Sequence, residues 1–412
     1  MLRAIAWRNL WRNKLRSSII MAALTIGIIG AVEMDGYMTG LTNQRVDAAI
    51  ANEVSDIQLH NPGFLLNQET KYLIPHAGKK ADEIRKIANV KAVSVRLKGA
   101  AMASSANAGA GISINGVVPD DEYRVSDLHD HIIEGTYLNN KQKIPAVIGQ
   151  KLAKKLNIGV SDKLIVTMTD STGTITNGAF LVVGIYKTSN TDFDKSNVFV
   201  TRKDLANLIG YPTNAGDEIA ILLNSNQHTK AVTKKLNTLF SAEVKSHKLI
   251  IQSWDQIQPL LKSMVDMMNY FSYLFLIIVL AALTFAIINT MLMSMMERTR
   301  EIGMLIALGM NKRKIVRMVM LETLFLSIIG ALVGLAISIL LVDYLSIHGL
   351  DLSSFAKGLN SIGYSSTVYF QVNREFYFTT VIVVVLLAIL ASIPAMMRAL
   401  KLQPATAIRE ED

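Results

Sequence analysis

Four long apolar runs are the main pattern along this chain of 412 residues. A helix needs about 20 apolar residues to cross a bilayer. Three of the runs lack charged residues over about that length, whereas the first, Ser17–Val32, reaches it only when the residues up to Met38 are included. The pattern therefore predicts four transmembrane helices, at 17–38, 270–296, 316–342 and 376–397. Charged residues at 33 and 35 follow the first run in place of a cleavage site, so we expect an uncleaved anchor.

The insert between the first and second spans, residues 39–269, is long enough for one or two folded domains. Strand-like alternation and helical spacing follow each other near both of its ends. The order is strand, helix and strand, at 55–60, 79–87 and 90–97, and again at 218–223, 227–240 and 241–252. We therefore expect flanks 39–98 and 214–269 to fold together into one membrane-proximal α/β unit.

The middle of the insert, residues 99–213, contains short strand-like pieces separated by turn residues. These pieces lie at 110–118, 163–169, 180–186 and 197–201. They predict a β-rich inserted subdomain, whereas the loop 343–375 between the third and fourth spans is much shorter. The predicted fold class is an α-helical membrane protein with four transmembrane helices plus a large mixed α/β extracytoplasmic domain between the first and second helices.

Almost all of the net charge of +9 comes from three segments beside the spans. These are the N-terminal amphipathic segment 1–16, the segment 297–315 and the tail 398–412. Because basic residues are retained on the cytoplasmic side, we expect both termini inside and the large insert in the periplasm or outside the cell. The chain is thus expected to be a multi-pass protein of the cytoplasmic (inner) membrane. The high pI then reflects topology, and no nucleic-acid partner is expected.

Candidate chemistry in the sequence is sparse. There is no cysteine, which excludes disulfides, zinc-thiolate sites and thiol catalysis. The cluster His129-Asp-His131 fits no standard zinc motif. Gly78-Lys79-Lys80 lacks the first glycine and the hydroxyl of a phosphate-binding loop. We therefore expect a non-catalytic membrane protein with no cofactor or metal of its own.

The segment 297–309 between the second and third spans is charged and yet carries an apolar stripe at helical spacing. The stripe comprises Ile302, Leu305, Ile306 and Leu308. Gly309 suits a left-handed helix stop, and Asn311 can cap the next helix. The residue pattern alone is consistent with two interpretations. The segment is either an interfacial helix that lies on lipid or a helix that docks on another protein.

Three motifs resemble those of the MacB/LolE/FtsX group of ABC-transporter permeases. They are the segment Glu297–Gly309, the start Trp7–Arg16 and the end Ile393–Arg409. Met397 departs from the family pattern, which has a basic residue there. The stretch Asp56–Gly63 is similar to the start of the outer domain of LolC/LolE-like permeases. Together with the order of spans, these motifs identify the chain as a member of this group.

The resemblance implies a mechanism in which the permease, a non-catalytic membrane subunit, pairs with a second copy or a paralogue and sits on two ABC ATPase subunits, which bind ATP and magnesium. The residues that would couple to the ATPase are Glu297, Arg298, Arg300, Glu301, Ile302, Gly303, Leu305 and Gly309. The leading expectation is lipoprotein release from the inner membrane, with lipoprotein cargo. The alternatives are a MacB-like tripartite efflux permease and an FtsX-like regulator of a cell-wall hydrolase.

Weaker patterns lie in and near the spans. Methionine adapts to irregular apolar partners, and five methionines near the outer ends of the first two spans suggest a cavity for membrane lipid or acylated cargo. They are Met34, Met38, Met264, Met267 and Met268. Gly330 and Gly334 allow close helix packing, either within the subunit or between subunits. We expect Glu322 to pair with Arg317 or with a basic residue of the N-terminal segment.

Overall fold

The computed structural model describes residues 2–12, 14–64, 71–106 and 108–401. The chain forms two compact units. The described part of the first, the membrane unit, comprises 2–12, 14–42, 265–351 and 367–401. The second, the outer domain, comprises the described residues of 43–264 together with 352–366. The loop between the third and fourth spans is therefore divided between the two units.

The elements are as follows. The helices are α1 Leu2–Arg12, α2 Lys14–Ala49, α3 Ala77–Ile84, α4 Pro119–Val125, α5 Gln150–Leu156, α6 Thr191–Ser196, α7 Arg202–Ile209, α8 Thr229–Leu239, α9 Ser241–Lys245, α10 Trp254–Ile257, α11 Pro259–Glu297, α12 Thr299–Ala307, α13 Lys312–His348, α14 Ala356–Ser361, α15 Arg374–Ala391 and α16 Ile393–Lys401. The strands are β1 Ile57–His60, β2 Val90–Ser104, β3 Gly109–Val117, β4 Ile132–Gly135, β5 Pro145–Gly149, β6 Lys163–Thr169, β7 Ile175–Tyr186, β8 Asn197–Thr201, β9 Glu218–Leu223, β10 Ile250–Ser253, β11 Leu350–Asp351 and β12 Thr367–Val368.

Four helical segments of the described chain are long and apolar enough to cross a membrane, and they contain the four predicted spans. The helix that contains the first span, α2, extends beyond the apolar run. It continues to Ala49 and passes into a π-helical turn at Ile50–Val54. The fourth predicted span, 376–397, is not one helix. It breaks at Ser392 between α15 and α16, because Pro394 in the first turn of α16 has no N–H to continue the α15 ladder.

Two flanks of the insert pair in one antiparallel sheet, as their patterns predict. Its strand order is β10-β1-β9-β2, with α3 and α8 contributing to the same apolar core. This is the order of a split βαβ fold with an insertion between its second and third strands. One detail of the prediction is wrong, because residues 241–245 form the short helix α9 and only 250–253 form a strand.

The inserted part contains a closed ring of strands around a second apolar core. The ring runs β2-β3-β8-β5-β7-β6 and returns to β2, because β6 pairs with both β7 and β2. Strand β2 belongs to both cores: Val93 and Val95 lie in the first, and Leu97 and Ala103 lie in the second. The predicted boundary between 98 and 99 therefore cuts through a continuous strand.

Candidate coupling site

The helix α12 connects the second and third long helices and presents two different faces. Ile302 and Gly303 are buried within the membrane unit. Met304 and Leu308 are 53% and 84% exposed on the other side. Gly309 ends the helix with a φ of +83°, which confirms the predicted left-handed stop. The prediction for Asn311 is also confirmed, since its side chain accepts from the N–H of Arg313 at 2.9 Å and caps α13.

Arg298 lies at the junction of α11 and α12 and points inward. Its Nη1 donates to both carboxylate oxygens of Glu322 on α13, each at 3.0 Å. The two side chains are only 10% and 12% exposed, so this pair is shielded from water. Sequence reasoning missed Arg298 as a partner of Glu322, and the predicted pairing of Glu322 with Arg317 or an N-terminal basic residue stays a prediction.

A second ion pair joins α12 to the N-terminal helix. Arg12 donates to Glu301, and Glu301 also lies 3.9 Å from the Nε of Arg298. Helix α1 is held against α13 by its buried residue Leu10 and by the ring of Trp7, whose centroid lies 5.7 Å from that of Phe325. The charges thus form a chain that joins α1, α12 and α13.

The structure divides the coupling residues predicted from the sequence into two groups. Arg298, Ile302 and Gly303 are buried and serve the packing of the membrane unit. The remaining five are exposed or half-buried on the same segment: Glu297, Arg300, Glu301, Leu305 and Gly309. Sequence reasoning missed Arg12 as a partner of this segment and Met304 as an exposed apolar residue. It placed Leu308, which is exposed, in one stripe with Ile302, which is buried. Helical spacing does not say which side of a short amphipathic helix faces the rest of the chain.

The five methionines of the predicted lipid cavity are half-buried or exposed. Met34, Met38, Met267 and Met268 belong to the membrane unit, and Met264 belongs to the outer domain. None of the five belongs to the buried apolar core of the described residues. The lipid cavity stays a prediction.

Gly330 and Gly334 of α13 lie against α2 of the same chain. A Cβ atom added at Gly334 would be 3.1 Å from Thr25 Cα, and one at Gly330 would be 3.1 Å from Leu24 Cβ. The hydroxyl of Thr25 donates to the carbonyl of Gly330 at 3.1 Å. The two glycines therefore allow close packing within the subunit.

Replacing Gly334 by alanine should destabilise the membrane unit by about 1 kcal/mol, because the added methyl group meets the backbone of α2. The matched control is Gly30→Ala on α2, where a Cβ atom meets nothing within 4 Å. Thermal unfolding of the full chain in nanodiscs compares the two variants. Equal unfolding temperatures for both variants would contradict the packing described for Gly334.

The outer domain contains a buried network of charged side chains on β2, β9 and α4. Arg96 donates from Nη2 and Nε to the carboxylate of Glu122, at 2.6 and 3.0 Å, and from Nη1 to Glu218 at 2.8 Å. Lys98 Nζ lies 2.7 Å from the other oxygen of Glu218. Burial alone would raise the pKa of Glu218, but the charges of Lys98 and Arg96 outweigh it and lower the pKa to about 2. Glu218 is therefore ionised at neutral pH.

Two family models cover most of the chain. The model of the FtsX-like permease C-terminal region matches residues 273–404. The model of the MacB-like periplasmic core domain matches residues 17–239, which is more than half of the chain. The chain is a MacB/FtsX-type ABC transporter permease. The predicted family and fold class are thereby confirmed, and the four long apolar helices make this permease an inner membrane protein.

The relatives of this permease include export proteins. It is 24% identical over 351 residues to the pyoverdine export ATP-binding/permease protein PvdT of Pseudomonas fluorescens, covering 82% of this chain and 51% of that protein. It is also 24% identical over 352 residues to the macrolide export ATP-binding/permease protein MacB 1 of Yersinia pestis, covering 81% of this chain and 51% of that protein. The permease thus spans about half the length of the curated relatives it matches.

A solved structure of the periplasmic region of MacB from Actinobacillus actinomycetemcomitans covers 53% of this chain and 97% of its own. The identity is 14% and the TM-score is 0.35.

Proposed function

We propose that this permease couples ATP hydrolysis by ABC ATPase subunits to export work done by its outer domain. The observation that carries the proposal is the exposed apolar surface of α12, formed by Met304 and Leu308 between two long membrane helices. Exposed apolar side chains on a short helix between spans suit docking into a groove of a partner protein. The ion pairs of Arg298 and Arg12 would then transmit force from α12 to α13 and α1.

The arrangement we propose has two permease chains, either identical or paralogous, on two ATPase subunits in the inner membrane. ATP and magnesium would bind to the ATPase subunits, and both permease termini would lie in the cytoplasm beside them. The basic segments next to the spans support this orientation. Membrane lipids would contact the exposed apolar sides of the long helices.

Among export, lipoprotein release and regulation of a hydrolase, export is the best supported function. The names of the relatives describe pyoverdine and macrolide export, which favours the MacB-like alternative over lipoprotein release. Lipoprotein release and FtsX-like regulation of a hydrolase stay predictions from the resemblance of short motifs.

The double substitution Met304→Ser and Leu308→Ser should weaken ATPase binding at least tenfold. Each apolar side chain contributes about 1.5–3 kcal/mol when fully buried, and 1.4 kcal/mol corresponds to a factor of ten. The measurement is the amount of ATPase that co-purifies with the permease, together with the ATPase activity of the complex in nanodiscs. The matched control is Leu239→Ser, an exposed leucine at the end of α8 in the outer domain.

Unchanged ATPase binding by the double variant would show that α12 is not the docking helix. Mass spectrometry of the proteins that co-purify from native membranes tests separately whether the permease serves export or lipoprotein release. A periplasmic adaptor or outer-membrane channel would support export. Acylated lipoproteins, together with their ATP-dependent release from spheroplasts, would support the lipoprotein reading instead.

A further inference from the structure

A groove of about 1040 Å³ lies on the surface of the outer domain, between α8 and the start of α11. One wall is a single face of α8 and of the turn before it, because the lining positions 226, 230, 233, 234 and 237 recur at helical spacing. The other wall comes from residues 253–256 and from Lys262. All of these residues belong to the outer domain. Neither the coupling helix nor the family resemblance assigns a role to this groove.

The side chains that line the groove give it a positive charge. Lys230 and Lys234 are exposed, lie one turn apart on α8 and line the same wall. Neither of them has an ion pair among the described residues. The acid in the lining is Asp255, whose carboxylate already accepts a hydrogen bond from the hydroxyl of Ser253. The charge of the two lysines is therefore available to an occupant.

The positive charge extends over the whole segment 226–248, which comprises α8 and α9. This segment contains five exposed lysines and one acid, Glu243, whose carboxylate is bonded to Lys80 Nζ at 2.6 Å. The groove also reaches the N-terminal end of α8, where Asn226, Gln227 and Thr229 line it. Backbone N–H groups and the helix dipole favour an anion at such an end. The lysines and the helix end together favour a negatively charged occupant.

The second span begins close to this groove along the chain. Lys262 precedes Tyr270, the start of the uncharged run, by eight residues of the continuous helix α11. At 1.5 Å per residue this separation is about 12 Å. The headgroup layer is about 5–8 Å thick on each side of the hydrocarbon core, and lysine side chains reach toward it. Trp254, which is half-buried in the lining, has the amphipathic ring that favours this interface.

We propose that this groove binds the headgroup of an anionic phospholipid, with Lys230 and Lys234 contacting its phosphate. A basic groove by itself fits a soluble anion equally well. The short distance to the second span and the ring of Trp254 favour a lipid, because both belong to the level of the headgroups. Lys262 lies one turn before Asp266 on α11, so we assign no contact to Lys262. The site is independent of the proposed coupling to an ATPase.

Tryptophan fluorescence of the full chain in detergent micelles tests this site. With Trp7→Phe and Trp11→Phe, Trp254 is the remaining tryptophan of the chain and reports on the groove that it lines. Titration with dihexanoyl phosphatidylglycerol should change the emission of Trp254 saturably. Dihexanoyl phosphatidylcholine has no net charge and should bind at least about tenfold more weakly. Added salt should weaken the binding of phosphatidylglycerol, because the contact is electrostatic and exposed.

The double substitution Lys230→Gln and Lys234→Gln should weaken the binding of phosphatidylglycerol about twenty-fivefold. Each lysine near an anionic lipid contributes about a factor of five. The variant Lys230→Arg with Lys234→Arg retains both charges and should bind phosphatidylglycerol as the native chain does. The matched control is Lys154→Gln with Lys155→Gln, which removes two exposed lysines from the end of α5 in the same domain. This control should leave the binding unchanged.

Equal binding of the two lipids by the native chain would overturn the proposal. It would also be overturned if the glutamine variant and the control lost the same amount of binding. Glycerol 3-phosphate tests for a soluble anion, and binding as tight as that of phosphatidylglycerol would show that the groove does not select a lipid. Should the glutamine variant not fold, the comparison of the three ligands on the native chain still decides the question.

Discussion

Replacing Arg96 by methionine should lower the free energy of unfolding of the outer domain by about 3–5 kcal/mol. Arg96 is 3% exposed and holds the carboxylates of Glu122 and Glu218 in the interior. Removal of Arg96 leaves the carboxylate of Glu122 with only the hydroxyl of Ser94, at 2.7 Å, among the described hydrogen bonds of that carboxylate. A buried charge that loses its ionic partner is strongly destabilising, whereas the loss of apolar contacts in an arginine-to-methionine change is small.

The measurement is chemical unfolding of the full chain in nanodiscs, followed by tryptophan fluorescence. The chain has three tryptophans, and Trp254 belongs to the outer domain. A background with Trp7→Phe and Trp11→Phe therefore reports unfolding of that domain. Arg124→Met on α4 is the matched control, because Arg124 is exposed and its substitution should change stability by less than about 0.5 kcal/mol.

Neutralising the carboxylates should restore part of the lost stability. The variant Arg96→Met with Glu122→Gln and Glu218→Gln no longer buries unpaired charges, so it should unfold at a higher denaturant concentration than Arg96→Met alone. If Arg96→Met and the triple variant were equally unstable, the destabilisation would come from packing and the electrostatic explanation would be wrong.

Replacing Arg298 by methionine should destabilise the membrane unit by about 3 kcal/mol. Arg298 Nη1 reaches both carboxylate oxygens of Glu322 at 3.0 Å, and both side chains are nearly buried. Breaking a buried ion pair costs about 3–5 kcal/mol. We expect the lower value here because Glu322 is still 12% exposed. The same substitution should weaken the transmission of force from α12 to α13. This second expectation rests on the proposed coupling of α12 to an ATPase.

Thermal unfolding in nanodiscs and the stimulated ATPase activity of the complex measure these two effects. Arg313→Met on the first turn of α13 is the matched control, because Arg313 is exposed. The double variant Arg298→Met and Glu322→Met should recover stability but not coupled activity. Full coupled activity in the double variant would show that the ion pair serves folding alone.

Local rules of helix and strand formation already predict much of this chain. Apolar runs of membrane-spanning length locate the four long helices, since the bilayer thickness determines the required length. Period-two alternation locates strands such as β6 and β9 at their observed bounds. Gly309 and Asn311 adopt the predicted helix stop and cap, because these conformations depend on the residue and its immediate neighbours.

Pairings between distant segments were decided only by the tertiary structure. Arg12 meets Glu301 across 289 positions, and Glu218 meets Arg96 across 122. No local pattern specifies such partners, because any basic side chain in the sequence satisfies the same electrostatic requirement. The sequence alone determined the four apolar spans, strands such as β6 and β9, and the family, since these depend on periodicity, length and short motifs. The tertiary structure decided which face of α12 is exposed, that β2 belongs to both cores, and that Lys230 and Lys262 line one groove, because these depend on the packing of segments far apart in the chain.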